Sequence, residues 1–113
     1  DSCDYPDYAI AVARKVASGE AATGVLVCGT GVGMSMTANR VPGIRAAACS
    51  ESYTARLTRD HNDANVLCIG SRVVGEGVAI DIVEAWLGTS FSGGERHVRR
   101  LEKMHALEAQ DRQ

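Results

Sequence analysis

Apolar residues recur at helical spacing at Ala9, Val12, Ala13 and Val16. The residues before them, Asp4-Tyr5-Pro6-Asp7, read as a helix start with an N-cap candidate, an early proline and an acidic first turn. Ser18-Gly19 ends that helix. The pattern then changes to an unalternating apolar run, Val25-Leu26-Val27-Cys28, which predicts a strand buried on both faces. A glycine-rich turn follows, then a short helix from Met34 to Asn39 closed by Val41-Pro42-Gly43. Arg45 to Cys49 predicts a second short strand, Ser52 to Asp60 a helix, and Val66-Leu67-Cys68-Ile69-Gly70 a third strand of the same all-apolar kind. Val78, Ala79, Ile82, Val83, Trp86 and Leu87 form a further amphipathic helix that Gly88 stops, and the stretch from Gly94 onward reads as a charged terminal helix. Strand starts fall roughly twenty residues apart, which suits β-α units repeated with right-handed crossovers. The expected architecture is an open α/β fold with a parallel sheet between helices, whose ligands bind beyond the carboxyl ends of the strands.

Composition narrows the class. The chain has 113 residues, 45% of them hydrophobic and 23% charged, enough for one domain spanning 1–113 with a real core. A net charge of −2 argues against a general nucleic-acid binder. No apolar run approaches a membrane span and no basic start precedes an apolar stretch, so a cytoplasmic location without membrane partners is expected. Of four cysteines, Cys28, Cys49 and Cys68 each sit in or at the end of an apolar run, and none forms a C-x-x-C pair. Free thiols fit this better than disulfides or a zinc site.

The loops after the strands hold the candidate chemistry. Cys28-Gly29-Thr30-Gly31-Val32-Gly33-Met34-Ser35 sets a thiol and a hydroxyl at the mouth of a turn with bare backbone N–H groups. Such a corner stabilises anions, which makes Cys28 a candidate acid/base or nucleophile, although a cysteine at a strand end is also an ordinary core residue. His61-Asn62-Asp63-Ala64-Asn65 precedes the third strand, where His61 is either a solvated loop residue or an oriented acid/base. Ser71 and Arg72 follow that strand. Arg96, His97, Arg99 and Arg100 make a basic run that reads first as a solvated helix face balanced by Glu95 and Glu102. Arg96 and Arg100, four residues apart, share a face and are spaced to clamp a phosphate.

Several familiar sites are excluded by spacing. Gly29, Gly31 and Gly33 run G-x-G-x-G rather than the dinucleotide G-x-G-x-x-G, and no G-K-[ST] phosphate loop occurs there. The residues after Cys28 offer no arginine to close a cysteine-phosphatase loop, and no G-x-S-x-G elbow is present.

Taken together, the Cys28–Ser35 turn, Ala38-Asn39-Arg40-Val41-Pro42-Gly43-Ile44-Arg45-Ala46, His61-Asn62-Asp63-Ala64-Asn65-Val66-Leu67 and Gly70-Ser71-Arg72-Val73-Val74-Gly75 resemble the type B ribose-5-phosphate isomerases, a family that includes galactose-6-phosphate and allose-6-phosphate isomerases. Asp4-Tyr5-Pro6-Asp7-Tyr8-Ala9 and Gly93-Gly94-Glu95-Arg96-His97-Val98-Arg99-Arg100 extend the likeness to the whole chain. The resemblance implies a Rossmann-like three-layer α/β/α sandwich and an aldose-ketose isomerase that works through an enediolate. It makes Cys28 the proton-transfer base and Thr30 with His61 the ring-opening pair. The backbone of Gly29, Gly31, Val32 and Gly33 would hold enediolate oxygen, Asn62 substrate oxygens, and Arg72, Arg96 and Arg100 chiefly the phosphate. It further implies a homodimer or pair of dimers in which His61 and Asn62 come from the neighbouring subunit, with neither metal nor organic cofactor.

Two departures from the family pattern stand out. The chain begins at Asp1-Ser2, and nothing in it matches the family's N-terminal strand, helix and strand, which carries an Asp-His pair that contacts substrate, so the site as read is expected to be incomplete. Glu95 is an extra residue relative to the commonest family spelling and shifts the register of Arg96 and Arg100. The alternative expectations are an isomerase for allose 6-phosphate or galactose 6-phosphate, or a non-catalytic sugar-phosphate-binding subunit of the same fold. The joint presence of Cys28, Thr30 and His61 favours an enzyme.

Overall fold

A computed structural model describes residues 3–111; Asp1 and Ser2, where the sequence departs from the family pattern, lie outside the described residues. In chain order the elements are α1 (Tyr5–Ala17), β1 (Gly24–Cys28), α2 (Val32–Ala38), β2 (Ala46–Ala48), α3 (Ser52–Asp60), β3 (Val66–Gly70), α4 (Glu76–Leu87) and α5 (Glu95–Asp111). The three strands form a parallel sheet in the order β1-β3-β2, with Gly24 paired to Val66, Cys28 to Gly70 and Ala46 to Val66.

Helices cover both faces of the sheet. On one face Ala9, Ala13 and Val16 of α1 and Met34 and Ala38 of α2 bury against Leu26, Val66 and Cys68. On the other, Ala55 of α3 and Ile82 and Trp86 of α4 bury against Leu67 and Ile69. Because every residue of β3 is buried, its apolar run has the two-sided burial expected of a central parallel strand.

The expectation that β1 is buried on both faces is corrected by its place at the sheet edge. Leu26 is buried, but Val25 and Val27 are 41% and 56% exposed. Side chains alternate along a strand, so one face of β1 meets α1 and α2 while Val25 and Val27 line an apolar hollow of about 670 Å³ beside Ile80 and Val83 of α4. The α2 helix begins two residues earlier than the sequence suggests, at Val32, because Gly31 adopts φ +81° and caps it. The second strand shortens to Ala46–Ala48, and α4 starts at Glu76.

Two contacts fix the loops that matter for chemistry. A Cβ on Gly70 would come within 2.7 Å of the Thr30 backbone, so only glycine at the end of β3 lets the Cys28–Gly33 turn lie across it. At the other end of the sheet, the Asn65 side chain accepts from the Arg45 N–H at 2.8 Å and donates to the Gly43 carbonyl at 3.0 Å, tying the loop before β3 to the one before β2.

Candidate active site

Cys28 is the last residue of β1 and is half-buried. Beyond it the chain turns back on the sheet, and the backbone N–H of Gly31 donates to Cys28 Sγ at 3.2 Å. The Thr30 hydroxyl accepts from the N–H of Val32 at 3.2 Å, which leaves its own proton free for another acceptor. The turn is held to the segment after β3 by Ser71 N–H donating to the Cys28 carbonyl at 2.8 Å and Arg72 N–H donating to the Gly29 carbonyl at 3.0 Å. Arg72 itself lies over the turn, its Cδ 3.6 Å from where a Cβ of Gly29 would stand. Cys28, Thr30, the glycine backbone and Arg72 therefore form one group at the carboxyl end of the sheet.

The other thiols differ from Cys28 in setting. All four cysteines are free; Cys3 is exposed, and Cys49 and Cys68 are buried. Burial pushes the Cys68 thiol up to about 12, with charge on Cys28 and Cys49 adding to the effect, and raises Cys49 as well. Neither buried sulfur is suited to carry a proton in catalysis near neutrality.

His61 and Asn62 occupy a different place. His61 caps the carboxyl end of α3, and its N–H donates to the Leu57 carbonyl at 2.8 Å. Within the same polar loop the residues divide by role. Asp63, held at φ +47°, pairs with Arg59 at 3.1 Å and Arg45 at 3.5 Å, so it joins Asn65 as a structural residue. His61 and Asn62 instead line a hollow of about 340 Å³ with His97 and Arg100 of α5. The His61 and His97 rings stack there with centroids 4.2 Å apart and planes 13° from parallel. Arg100 borders this hollow and Arg96 does not, although both are exposed on the first turns of α5.

In the sequence His97 reads only as part of a basic run. In the structure it lines the same hollow as His61 and Asn62, and its position four residues before Leu101, a further residue of that hollow, is the signal the sequence offers. Partial desolvation lowers the His97 pKa, helped by the charges of His61, Arg96 and Arg100 and opposed by Asp60.

The two groups lie at opposite ends of the sheet. Helix α3 connects parallel strands β2 and β3, so it runs against them and delivers His61 to the end where Val66 begins β3. Cys28 pairs with Gly70 at the far end, four residues or about 13 Å along the strand. The hollow that Cys28 lines with Tyr5, Leu26 and Met34 is separate from the one that His61 lines. Among the described residues no group of three or more His, Cys, Asp or Glu side chains is placed to hold a metal ion. Nor is any of their helices long and apolar enough to cross a membrane.

The chain is similar to known proteins over most of its length. A profile of the family described as Ribose/Galactose Isomerase matches residues 1–104. Ribose-5-phosphate isomerase B of Escherichia coli strain K12 is 57% identical over 105 residues, which are 93% of this chain and 70% of that protein. The structure of Trypanosoma brucei type B ribose 5-phosphate isomerase is similar with a TM-score of 0.94 and 56% identity, over 95% of this chain and 72% of that one. That of Mycoplasma genitalium ribose-5-phosphate isomerase B, solved with bound ribulose-5-phosphate, is similar with a TM-score of 0.91 and 46% identity, over 96% of this chain and 71% of that one.

Proposed function

The chain belongs to the ribose/galactose isomerase family and is a sugar-phosphate isomerase, and we propose that it interconverts ribose 5-phosphate and ribulose 5-phosphate through an enediolate. The observation that carries the reading is Cys28 at the end of β1, with the Gly31 N–H aimed at its sulfur and an open hydroxyl at Thr30. In this mechanism Cys28, as thiolate, takes the proton from C2 of the open-chain aldose. Charge moves onto the carbonyl oxygen at C1, and the same sulfur returns the proton to C1 while a proton passes from O2 to O1. Backbone N–H groups of Gly29 and Gly33, joined by those of Gly31 and Val32 once substrate draws them from Cys28 Sγ and Thr30 Oγ1, stabilise the charged oxygen, the largest single contribution expected in such chemistry.

Thr30 and His61 exchange the protons that open the furanose ring, and Asn62 holds substrate oxygens. Arg72, Arg96 and Arg100 hold the phosphate, whose binding energy fixes the reacting carbons. The separation of Cys28 from His61 along the sheet supports a further element of the proposal. The working unit is a homodimer, or a dimer of dimers, in which each site takes Cys28 from one subunit and His61 and Asn62 from its neighbour. Residues 1–113 then belong to a single isomerase domain that uses no cofactor, and four free thiols fit a cytoplasmic location.

Incubating the complete enzyme with ribose 5-phosphate, allose 6-phosphate and galactose 6-phosphate tests the assignment. The expected result is ketose formation with the highest kcat/KM for ribose 5-phosphate. Preference for a six-carbon phosphate would reassign the substrate, and binding without conversion would make the chain a non-catalytic subunit.

A further inference from the structure

The geometry points to His97 as a positioning residue for His61, its ring acting as a flat stop that sets the plane of the neighbouring imidazole; this rests on the acid/base role proposed for His61. An imidazole at a helix end needs something to fix its side-chain torsions before it can exchange protons in one direction. Hydrogen bonding does not do this for His61: its Nε2 lies 3.7 Å from Asp60 Oδ2, and among the described residues no side-chain hydrogen bond reaches its ring. The parallel His97 ring at 4.2 Å is the contact that limits rotation.

His97 is itself well placed to be rigid. It sits in the first turn of α5, and its N–H donates to the Gly94 carbonyl at 3.0 Å. A Cβ on Gly94 would approach His97 Cδ2 to 3.3 Å, so glycine keeps room for the ring. The loop before α5 is pinned to the end of α3 by Ser92, whose N–H and hydroxyl both donate to the Asp60 carbonyl, at 3.1 and 2.9 Å. The chain thus fastens the two helices next to the two rings, and relative motion of the rings is restricted from both sides.

Charge favours the same arrangement. The ionisable groups around the pair are Asp60 and His61 from α3 and its cap, and Arg96, His97 and Arg100 from α5. Burial lowers the His97 pKa, and three of its four charged or titratable neighbours, His61, Arg96 and Arg100, lower it further against Asp60, which favours a neutral ring facing His61.

The test uses His97→Ala and His97→Phe in the complete enzyme, read by kinetics and by NMR of the His61 ring. In the parent enzyme the His61 ring protons are expected upfield, under the facing ring. His97→Ala is expected to move them toward the position of free histidine and to lower kcat for the cyclic aldose phosphate about ten- to a hundredfold, with KM little changed. His97→Phe keeps a flat ring and is expected to restore both the upfield shift and most of kcat. Unmoved His61 resonances in His97→Ala, normal kcat despite moved resonances, or a phenylalanine form as slow as the alanine form would each overturn the inference. Failure of the underlying reading is seen separately, as full activity in His61→Asn even though the parent's His61 resonances report the stack.

Discussion

The backbone N–H of Gly31 donates to the sulfur of Cys28 across a single turn, at 3.2 Å. That places a fixed donor on the one half-buried thiol at the carboxyl end of the sheet, while Cys49 and Cys68 are held in the core with raised pKa values. Replacing Cys28 by Ala is expected to abolish exchange of the C2 proton of the substrate in deuterated water while phosphate-ester binding is largely kept. Exchange at the parent rate would assign the base to another group.

The turn depends on Gly70 as much as on its own glycines. Gly70→Ala drives a Cβ to 2.7 Å of the Thr30 backbone, and the resulting overpacking is expected to cost about 1–3 kcal/mol of stability and to displace the Thr30 hydroxyl. Gly77→Ala, inside α4 where a Cβ meets nothing within 4 Å, should leave stability unchanged or raise it by up to about 1 kcal/mol. Urea denaturation of the two variants compares them, and equal effects would mean that the close approach at Gly70 is relieved without strain.

Cys68 makes stability depend on pH in the alkaline range. Its folded thiol is raised from 9.0 to about 12, chiefly by burial, so the unfolded thiol ionises first. The protonated form favours the folded state, and this contribution is whole below pH 9 and is lost as pH rises toward 12. Denaturation midpoints are expected to fall more steeply from pH 8 to pH 10.5 in the parent than in Cys68→Ala. Parallel curves would show that the buried thiol does not contribute.

Arg100 borders the hollow of His61 and Asn62. Arg100→Ala is expected to raise KM for the sugar phosphate by an amount worth about 1.5–3 kcal/mol and to leave binding of the unphosphorylated sugar nearly unchanged. Equal KM values for variant and parent would return the residue to a solvated helix face.

Much of this architecture is visible in the residue pattern, because an all-apolar run such as Val66–Gly70 has no stable place except the centre of a covered sheet. The same logic misplaces β1. Its run is equally apolar, but a strand's neighbours are set by sheet order, and at the edge Val25 and Val27 face no helix of the described residues as closely as Leu26 does. Cys28 and Thr30 are legible because they sit inside a glycine turn that follows a strand. Within His61–Asn65, one polar loop mixes two functions that spacing does not separate: Asp63 and Asn65 satisfy Arg45 and backbone groups, and His61 and Asn62 face the hollow. His97 is hidden for a related reason, since a histidine among arginines has the pattern of a solvated face until a neighbouring helix supplies its stacking partner.

The central claim is that Cys28 and His61, at opposite ends of one sheet, meet only across a subunit interface. Subunit exchange between two inactive forms, Cys28→Ala and His61→Ala, tests it directly. In a two-fold dimer each hybrid holds one doubly damaged site and one intact site. Random pairing makes about half the dimers hybrid with half their sites whole, so roughly a quarter of parent activity is expected to return. With hybrid formation confirmed by native mass spectrometry, no recovery of activity would show that each site is built from a single chain and would contradict the shared site.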